Sequence, residues 1–291
     1  MRTHYDHLMA GRVLITGCSS GFGLEATVAL ARRGWVVFAS MRDLGRRDRL
    51  EDALYVARIN HGVELVELDI TDTGSVERAV ASVLEKAGGR LDALVNNAGI
   101  SAGGTFEDMD ADEFRRILET NLFGVLNVTR AVLPAMREHR RGRIVNVTSS
   151  GAFFGSPGLS AYAASKWAVE GWAESLAMEV TPFGIHVICV EPGAYRTEIW
   201  NSSPRTIPAD SAYAEAAGSV ERFVEERLIP NARDPREVGE MIAKALEARQ
   251  PRFRYPVGPD AVVQHVARGK VPNRMVRYGM RRLIGLDPPG H

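Results

Sequence analysis

The chain has 291 residues, of which 45% are hydrophobic and 25% are charged, a balance typical of a globular protein with a sizeable core. Its 36 Lys and Arg residues equal its 36 Asp and Glu residues, so the overall charge gives no attraction to nucleic acid or to a membrane. Cys18 and Cys189 match no metal or redox spacing, and the seven histidines show no pairing at ligand spacing, so we expect no metal site. No segment has the apolar length of a signal core or a membrane span, which predicts a cytoplasmic protein.

Short apolar strands alternate with helices along most of the chain. The predicted strands are 13–16, 35–40, 63–68, 91–95, 144–147, 185–190 and 252–257, and the predicted helices are 24–33, 48–58, 75–86, 110–136, 160–180 and 237–248. Almost wholly apolar strands joined by helices are typical of a parallel sheet covered on both faces. The sequence therefore predicts an α/β fold: a doubly wound parallel sheet (Rossmann fold) of about seven strands. We expect one domain at 11–256, with a substrate lid at about 195–230, followed by a basic C-terminal extension at 257–291.

A glycine-rich turn, TGCSSGFG at 16–23, lies between the first strand and the first helix. Glycines allow the backbone to turn tightly and to approach a pyrophosphate, and the start of the helix offers unpaired N–H groups and a positive dipole end. Alone, the G-x-x-x-G-x-G spacing could be an ordinary strand-to-helix turn, but its place at the start of a doubly wound pattern favours a dinucleotide site. The candidate cofactor-binding residues of this turn are Gly17, Ser19, Ser20, Gly21, Phe22 and Gly23.

The residues after the second strand bear on the choice of cofactor. NAD sites place an acid here to hold the ribose hydroxyls, whereas an arginine accommodates the 2′-phosphate of NADP. Met41 and Arg42 follow the strand, and Asp43 comes one position too late for the ribose. A solvated basic loop would explain the arginines of 46–49 equally well, but it explains Arg42 less readily. The sequence therefore predicts that NADP(H) is preferred and that NAD(H) is possible, with Arg42 as the cofactor-binding residue that decides.

Three side chains near the fifth strand could form a proton relay. Tyr162 and Lys166 are four residues apart and therefore share one helix face. A free tyrosine titrates near ~10, and a neighbouring cation favours the phenolate, which lowers the pKa towards the range useful for acid–base catalysis. Ser149, where the strand ends, could hold a carbonyl or alcohol oxygen against Tyr162. A surface pair is the plain alternative, but only four of the 36 basic residues are lysines, so a lysine at this spacing favours function.

Together these motifs resemble those of the short-chain dehydrogenase/reductase family. The matching pieces, in the family's order over about residues 11–256, are TGCSSGFG at 16–23, Asp69, NNAG at 96–99, Asn121, Ser149, the YxxxK of Tyr162 and Lys166, and Pro192-Gly193 with Thr197. Within the family, ASMRDL and EPGAYRTE look most like the 17β-hydroxysteroid and retinol dehydrogenase branch. The resemblance implies an oxidoreductase that interconverts an alcohol and a carbonyl compound by hydride transfer with a nicotinamide cofactor.

The resemblance also implies roles that the chemistry alone leaves open. Asp69 would hold the adenine amino group, Asn96 would brace the central strand below the cofactor, and Thr197 would bond the nicotinamide carboxamide. Asn121 would distort its helix and fix a water that extends the relay from Lys166; from residue type alone, a buried Asn with satisfied hydrogen bonds is the alternative. The remaining cofactor-binding residues that the family implies are Ile70, Asn97, Ala98, Gly99, Tyr162, Lys166, Pro192 and Gly193.

Aromatic residues between Ser149 and Tyr162 bear on the substrate. Phe153 and Phe154, with Trp200 in the lid segment, could line an apolar pocket or could equally belong to the core. We favour the pocket for the two phenylalanines, which join Ser149 and Tyr162 as the candidate substrate-binding residues. The small-molecule partner is therefore expected to be a lipophilic alcohol or ketone.

Two basic segments bear on larger partners. The arginines of 137–143 form a run that we interpret as a solvated turn, with no nucleic-acid partner. Residues 251–291 carry eight Lys and Arg against two Asp, and 271–284 mixes apolar residues with four arginines. This segment could be an interfacial membrane helix, but packing on its own domain or on a neighbouring subunit is favoured. The family resemblance also implies a homodimer or homotetramer that pairs through the helices at 110–136 and 160–180.

Two other classes of function stay open. A non-catalytic NADP-binding regulator could use the same fold, although the full set of Asn121, Ser149, Tyr162 and Lys166 argues against it. An epimerase or dehydratase also uses a Tyr–Lys pair on this fold, but its glycine spacing usually differs and its C-terminal substrate domain is larger.

Overall fold

The computed structural model describes residues 11–199, 207–208 and 210–286. Its centre is a sheet of seven parallel strands in the order β3-β2-β1-β4-β5-β6-β7. The strands are β1 Arg12–Ile15, β2 Val36–Met41, β3 Val63–Glu67, β4 Ala93–Asn96, β5 Gly142–Val147, β6 Ile185–Pro192 and β7 Arg254–Val257. The predicted doubly wound parallel sheet is confirmed.

Helices cover both faces of this sheet. They are α1 Gly21–Ala31, α2 Asp48–Val56, α3 Thr73–Lys86, α4 Ala111–Leu118, α5 Gly124–Glu138, α6 Ser160–Val180, α7 Ala214–Phe223, α8 Arg236–Glu247, α9 Pro259–Ala267 and α10 Asn273–Ile284. Successive strand residues point to opposite layers: Val13 and Ile15 pack with α1 and α8, and Leu14 packs with α3, α5 and α6. Because both faces are buried, the strands are almost continuously apolar, which is the pattern that identified them.

The chain order of the strands reverses at β1. This strand pairs with β2 on one side and with β4 on the other, so the loops that leave the carboxyl ends of β1 and β4 run to opposite halves of the sheet. Such a switch point leaves a crevice where ligands bind in open α/β sheets. The turn after β1 and the loops after β4, β5 and β6 all reach this edge, and they carry most of the predicted site residues.

The helix predicted at 110–136 is interrupted. The structure has α4, then a π-helical turn at Glu119–Phe123, then α5. Asn121 lies in the π turn, where its side-chain amide bonds the backbone N–H and C=O of Ile100 at 2.8 and 2.9 Å. This tertiary contact holds the extra residue in the turn, and single π turns of this kind are frequent at functional sites.

The chain beyond β7 forms α9 and α10, and α10 packs against α7 of the predicted lid segment. Within the described residues, the segment therefore packs on its own domain, as the sequence favours. None of the described helices is both long and apolar enough to cross a membrane. Residues 200–206 of the predicted lid and 287–291 of the extension lie outside the described residues. The domain boundary at 256 stays a prediction.

Candidate active site

A cavity of about 1440 Å³ opens at the carboxyl edge of the sheet. One part follows the turn after β1 and the ends of β2 to β4, and the other lies below α6, α7, α9 and α10. The predicted site residues that line it are Gly17, Ser19, Ser20, Gly21, Phe22, Arg42, Asp69, Ile70, Asn97, Ala98, Gly99, Ser149, Phe154, Tyr162, Pro192, Gly193 and Thr197. The predicted residues that lie behind this lining are Gly23, Asn121, Phe153 and Lys166.

The glycine-rich turn has the shape that an anion site needs. Gly17 and Gly21 have φ angles of +73° and +59°, which side-chain-bearing residues rarely adopt. A Cβ on Gly17 would also lie 2.8 Å from the Cα of Ala98, so only glycine lets the two loops approach. The helix α1 starts here with no acidic residue in its first turn, and the Ser20 side chain does not cap it. Its first N–H groups are therefore available to a diphosphate, and the residues fit a dinucleotide.

The turn is held from behind by Asn97. Its Nδ2 donates to the carbonyl oxygens of Thr16 and Gly17 at 2.8 and 3.0 Å, and the Thr16 hydroxyl accepts from the N–H groups of Asn97 and Ala98. A Cβ on Gly23 would meet the Gly17 carbonyl oxygen and lie 2.5 Å from Asn97 Nδ2. Gly23 thus allows α1 to pack closely on the turn rather than lining the cavity itself.

Two arginines border the part of the cavity that follows β2. Arg42 and Arg46 line the cavity and are exposed. Asp43 also lines the cavity, and its Oδ1 accepts from the Gly45 N–H at 2.8 Å, which closes the turn of this loop. Across the crevice, Asp69 accepts from the N–H and the hydroxyl of Thr71 at 2.9 and 2.7 Å. Arg46 is a lining residue that the sequence left open, because its loop spacing is equally typical of a solvated run.

Ser149, Tyr162 and Lys166 lie together at the junction of the two parts of the cavity. The Ser149 hydroxyl accepts from the Gly151 N–H at 3.0 Å, and both Ser149 and the Tyr162 ring flank Gly151. Lys166 is buried; its Nζ lies 5.7 Å from the Tyr162 ring centroid and donates to the Val147 carbonyl oxygen at 3.0 Å. The end of β5 thus places both groups beside Tyr162: Val147 fixes the Lys166 ammonium group, and Ser149 follows two residues later.

The pKa values differ from the expectation that Lys166 lowers that of Tyr162. Burial raises the pKa of the Tyr162 phenol above its ordinary value, and a hydrogen bond with Ser149 opposes this shift. Burial also lowers the pKa of Lys166 to about 8, against the opposing charge of Glu170. The net shift of the Tyr162 pKa is therefore opposite to the expected one, because desolvation disfavours the charged forms of both groups. At neutral pH, Tyr162 is therefore a neutral phenol that can donate a proton.

Asn121 links the loop after β4 to α6. Its side chain bonds both backbone groups of Ile100, and its Nδ2 also donates to the Ser165 hydroxyl at 3.0 Å. These bonds show a buried Asn with satisfied hydrogen bonds that links the loop after β4 to α6. The water relay from Lys166 stays a prediction.

The neighbouring residues Phe153 and Phe154 have different surroundings. Phe154 lines the cavity, whereas Phe153 is 3% exposed and packs edge-on against His265 with the Arg268 guanidinium over its ring. Phe153 therefore belongs to the core between the loop after β5 and α9, which corrects its prediction as a substrate contact. Trp200 lies outside the described residues.

A buried charged cluster, which no sequence pattern predicts, lies beneath these loops. Glu191 precedes Pro192, has no exposed surface, and lies 3.3 Å from both Arg254 Nε and His265 Nδ1. Glu170 accepts from the Thr148 hydroxyl at 2.8 Å and from Arg254 at 3.0 Å. Burial, followed by the nearby Glu170 charge, raises the pKa of Glu191 to about 8. The cluster joins the end of β5 to β6, α6, β7 and α9, next to the loop that carries Ser149.

Asp260 is a second group that sequence reasoning missed. Its carboxylate accepts from the Ala194 N–H at 2.8 Å, and the Gly193 N–H donates to the Val257 carbonyl oxygen at 3.0 Å. Helix α9 is thereby tied to the loop after β6. A usable signal existed, because side chains that follow the carboxyl ends of neighbouring parallel strands meet at one edge.

A glycine turn at the switch point, followed by a Ser–Tyr–Lys set at one cavity, defines a dinucleotide-dependent oxidoreductase. The family model described as short chain dehydrogenase matches residues 11–207. The chain is 39% identical over 250 residues to the uncharacterized oxidoreductase YusZ of Bacillus subtilis, covering 84% of this chain and 88% of that protein. It is 34% identical to a 3-ketodihydrosphingosine reductase of Bacteroides thetaiotaomicron (92% and 96% covered) and 35% identical to human 17-beta-hydroxysteroid dehydrogenase type 1 (84% and 76%).

Solved structures agree with these relatives. A short-chain dehydrogenase from Streptomyces avermitilis is 35% identical with a TM-score of 0.79, covering 96% of this chain and 100% of that one. A short chain dehydrogenase from Burkholderia cenocepacia, in complex with NADP, is 27% identical with a TM-score of 0.72, covering 97% and 99%. The chain belongs to the short-chain dehydrogenase family, and it is an NAD(P)-dependent oxidoreductase of the dehydrogenase/reductase type.

Proposed function

We propose that this protein is an NADP(H)-dependent oxidoreductase that interconverts a lipophilic secondary alcohol and a ketone, or a primary alcohol and an aldehyde, with Tyr162 as the acid/base. The observation that carries the proposal is the position of Ser149, Tyr162 and Lys166, where the glycine-rich crevice meets an apolar chamber. A carbonyl compound in the chamber has its oxygen within reach of both hydroxyl groups.

The residues divide the chemistry between them. The nicotinamide, when bound, supplies or accepts the hydride. Ser149 orients the reacting oxygen, and Tyr162 donates a proton to it during reduction or accepts one during oxidation. Lys166, fixed by Val147, places positive charge beside the phenol and so stabilises the phenolate that forms when the proton leaves. Asn121 keeps the loop after β4 in register with α6 during this exchange.

The chamber supports a lipophilic substrate. The walls that α7 and α10 contribute are mostly aliphatic and aromatic, among them Ala217, Val220, Phe223, Val276 and Met280. Apolar walls with a few convergent polar groups are typical of sites for apolar ligands, because the walls bind and the polar groups orient. The names of the sphingosine-type and steroid-type relatives point in the same direction.

Loss of the phenol tests the acid/base role. We expect Tyr162→Phe to lower kcat for NADPH-dependent reduction by at least about 100-fold, since a positioned proton donor contributes about 10²–10⁴-fold. NADPH affinity should stay within about twofold, measured by fluorescence titration. Tyr55→Phe removes the same hydroxyl from an 84% exposed residue and serves as the control. The substrate panel comprises steroid ketones, retinal, medium-chain aldehydes and small polar ketones. Wild-type turnover retained in Tyr162→Phe would exclude the proposed role.

The preference for NADP(H) rests on Arg42. It borders the cavity with Arg46, while the Asp43 carboxylate is engaged with Gly45. Hydrogen bonds to a charged group contribute about 1.5–3 kcal/mol, so Arg42→Asp should weaken NADPH binding by about 10- to 150-fold and NADH binding much less. Arg47→Asp makes the same charge change at a residue that pairs with Glu51 outside the cavity. Equal losses for both cofactors would contradict the assignment.

We also propose the assembly that the family resemblance implies, a homodimer or homotetramer through α4, α5 and α6. Three large apolar side chains on this surface are exposed: Phe123 (47%), Trp167 (49%) and Met178 (70%). Such side chains are typical of a surface that a second subunit covers. Light scattering of the purified protein measures the mass, and a monomer at micromolar concentration would contradict this assembly.

A further inference from the structure

We propose that the mouth of the cavity is a docking surface for an anionic lipid bilayer. The surface consists of α9, the turn that follows it and α10, residues 259–286, and is called the rim surface below. Docking is a property of this surface alone. The further consequence, that a lipophilic substrate enters from the bilayer, rests on the proposed function.

Exposed apolar side chains are concentrated on the rim surface. Fifteen large apolar side chains are exposed in the described part of the chain, and eight of them are spread over the rest of it. The seven on the rim surface are Val262, Val263, Val266, Val271, Met275, Tyr278 and Leu283. Single exposed apolar residues are ordinary, but a cluster of seven within 22 residues indicates a surface that is covered by something apolar.

Beyond Asp260, which accepts from the Ala194 N–H, the rim surface carries charge of one sign. Between residues 261 and 286 the sequence has six Lys and Arg and no Asp or Glu, although the whole chain has equal numbers of each. Lys270, Arg274 and Arg277 are exposed. Apolar side chains among exposed cations are the composition of a helix that lies in the headgroup region of a membrane, where anionic lipids attract each cation.

The geometry of α10 separates these two properties. One face, which includes Val276, Gly279 and Met280, lines the cavity, and the opposite face presents Arg274 and Arg277 to solvent. Four side chains of the rim surface both line the cavity and are exposed: Val263 of α9, Val271 of the turn, and Met275 and Leu283 of α10. These residues mark the opening, so a bilayer on the rim surface would face the apolar chamber directly.

A second copy of the chain fits this surface less well. Closed dimers bring the same patch of both subunits together. Two rim surfaces would then bring the exposed Lys270, Arg274 and Arg277 of both subunits together, and like charges across an interface are unfavourable. Anionic lipid supplies the missing negative charge and the apolar contact together.

Cosedimentation with lipid vesicles tests the docking. Full-length protein is mixed with phosphatidylcholine vesicles, with or without phosphatidylglycerol, at low and high salt. We expect binding only to the anionic vesicles and its loss at high salt, because screening weakens each cation's attraction. Arg274→Gln combined with Arg277→Gln should lower the partition coefficient by about 30-fold. Val262→Ser combined with Val266→Ser should lower it by roughly tenfold, and neither pair lines the cavity.

A matched control removes the same charge elsewhere. Arg137 and Arg141 are exposed at the amino end of β5, the sheet edge opposite the cavity. Arg137→Gln combined with Arg141→Gln should leave the partition coefficient unchanged. Thermal unfolding and NADPH titration confirm that each variant is folded.

Three outcomes would overturn the proposal: no binding to anionic vesicles, an equal loss in the control variant, or a dimer without vesicles that the Val262 and Val266 substitutions dissociate. Docking and catalysis remain separable. If vesicles bind but no substrate turns over, the proposed function fails while the docking stands; turnover without vesicle binding gives the reverse result.

Discussion

The close packing of α1 on the glycine turn can be tested by one methyl group at Gly23. The added Cβ of Gly23→Ala would press on the Gly17 carbonyl oxygen and on Asn97 Nδ2, which holds the turn by two hydrogen bonds. Alanine is favoured over glycine in a helix by about 1 kcal/mol. Against this gain stand about 1–3 kcal/mol for overpacking and about 1–3 kcal/mol for a buried polar group that loses its partner. The net expectation is a loss of about 1–5 kcal/mol in the free energy of unfolding.

The assay measures stability and cofactor affinity together. A loss of this size lowers the Tm by roughly 2–8 °C in a chain of 291 residues, since the unfolding entropy is about 2.1 cal/mol/K per residue. The NADPH dissociation constant, from fluorescence titration, should rise at least about tenfold because the backbone that receives the diphosphate shifts. Gly218→Ala is the matched control: it also lies inside a helix, α7, and its Cβ would meet only the end of the Arg222 side chain, at 3.6 Å. A Gly23→Ala protein with wild-type Tm and affinity would refute the reasoning.

Two further predictions concern buried ionisable groups. The Glu191 carboxyl has a pKa of about 8 in the folded chain and an ordinary one near 4.5 when unfolded, so the folded state binds the extra proton between these pH values. Stability should therefore fall as the pH rises from about 5 to 8, and Glu191→Gln should flatten this slope in urea titrations. An unchanged slope would show that Glu191 is not its source. Burial raises the pKa of the Cys18 thiol to about 12, so iodoacetamide should label it in native protein far more slowly than in unfolded protein. Equal labelling rates would mean that β1 opens readily.

The sequence predicts best what depends on local pattern. All seven strands lie within two residues of their predicted ends, because burial on both faces makes an apolar run of the same length. One cavity is lined by Asp69, Ser149 and Pro192, because each lies at or just beyond the carboxyl end of a strand and parallel strands end at one edge of the sheet. Both results follow from the spacing of apolar residues and from the order of strands and helices along the chain.

What escaped prediction depends on tertiary contacts. The break in the helix at 110–136 follows from bonds between Asn121 and Ile100, which no helical pattern records. Phe153 and Phe154 are neighbours of equal character, and only the position of His265 decides which one is buried. The pKa of Tyr162 rises because the surrounding chain removes water, a quantity that the Tyr–Lys spacing does not contain. The spacing of Tyr162 and Lys166 predicts that they are neighbours, but it does not predict how deeply they are buried.

The attachment of α9 has a consequence for redesign. Asp260 holds the loop that would receive the nicotinamide, His265 meets the buried Glu191, and the same chain continues into the wall of the chamber. One continuous segment, which begins at the end of β7, thus holds the loop after β6 and forms part of the chamber wall. Because the segment that holds this loop continues into α10, substitutions in α10 intended only to widen the chamber are expected to change specificity and turnover number together.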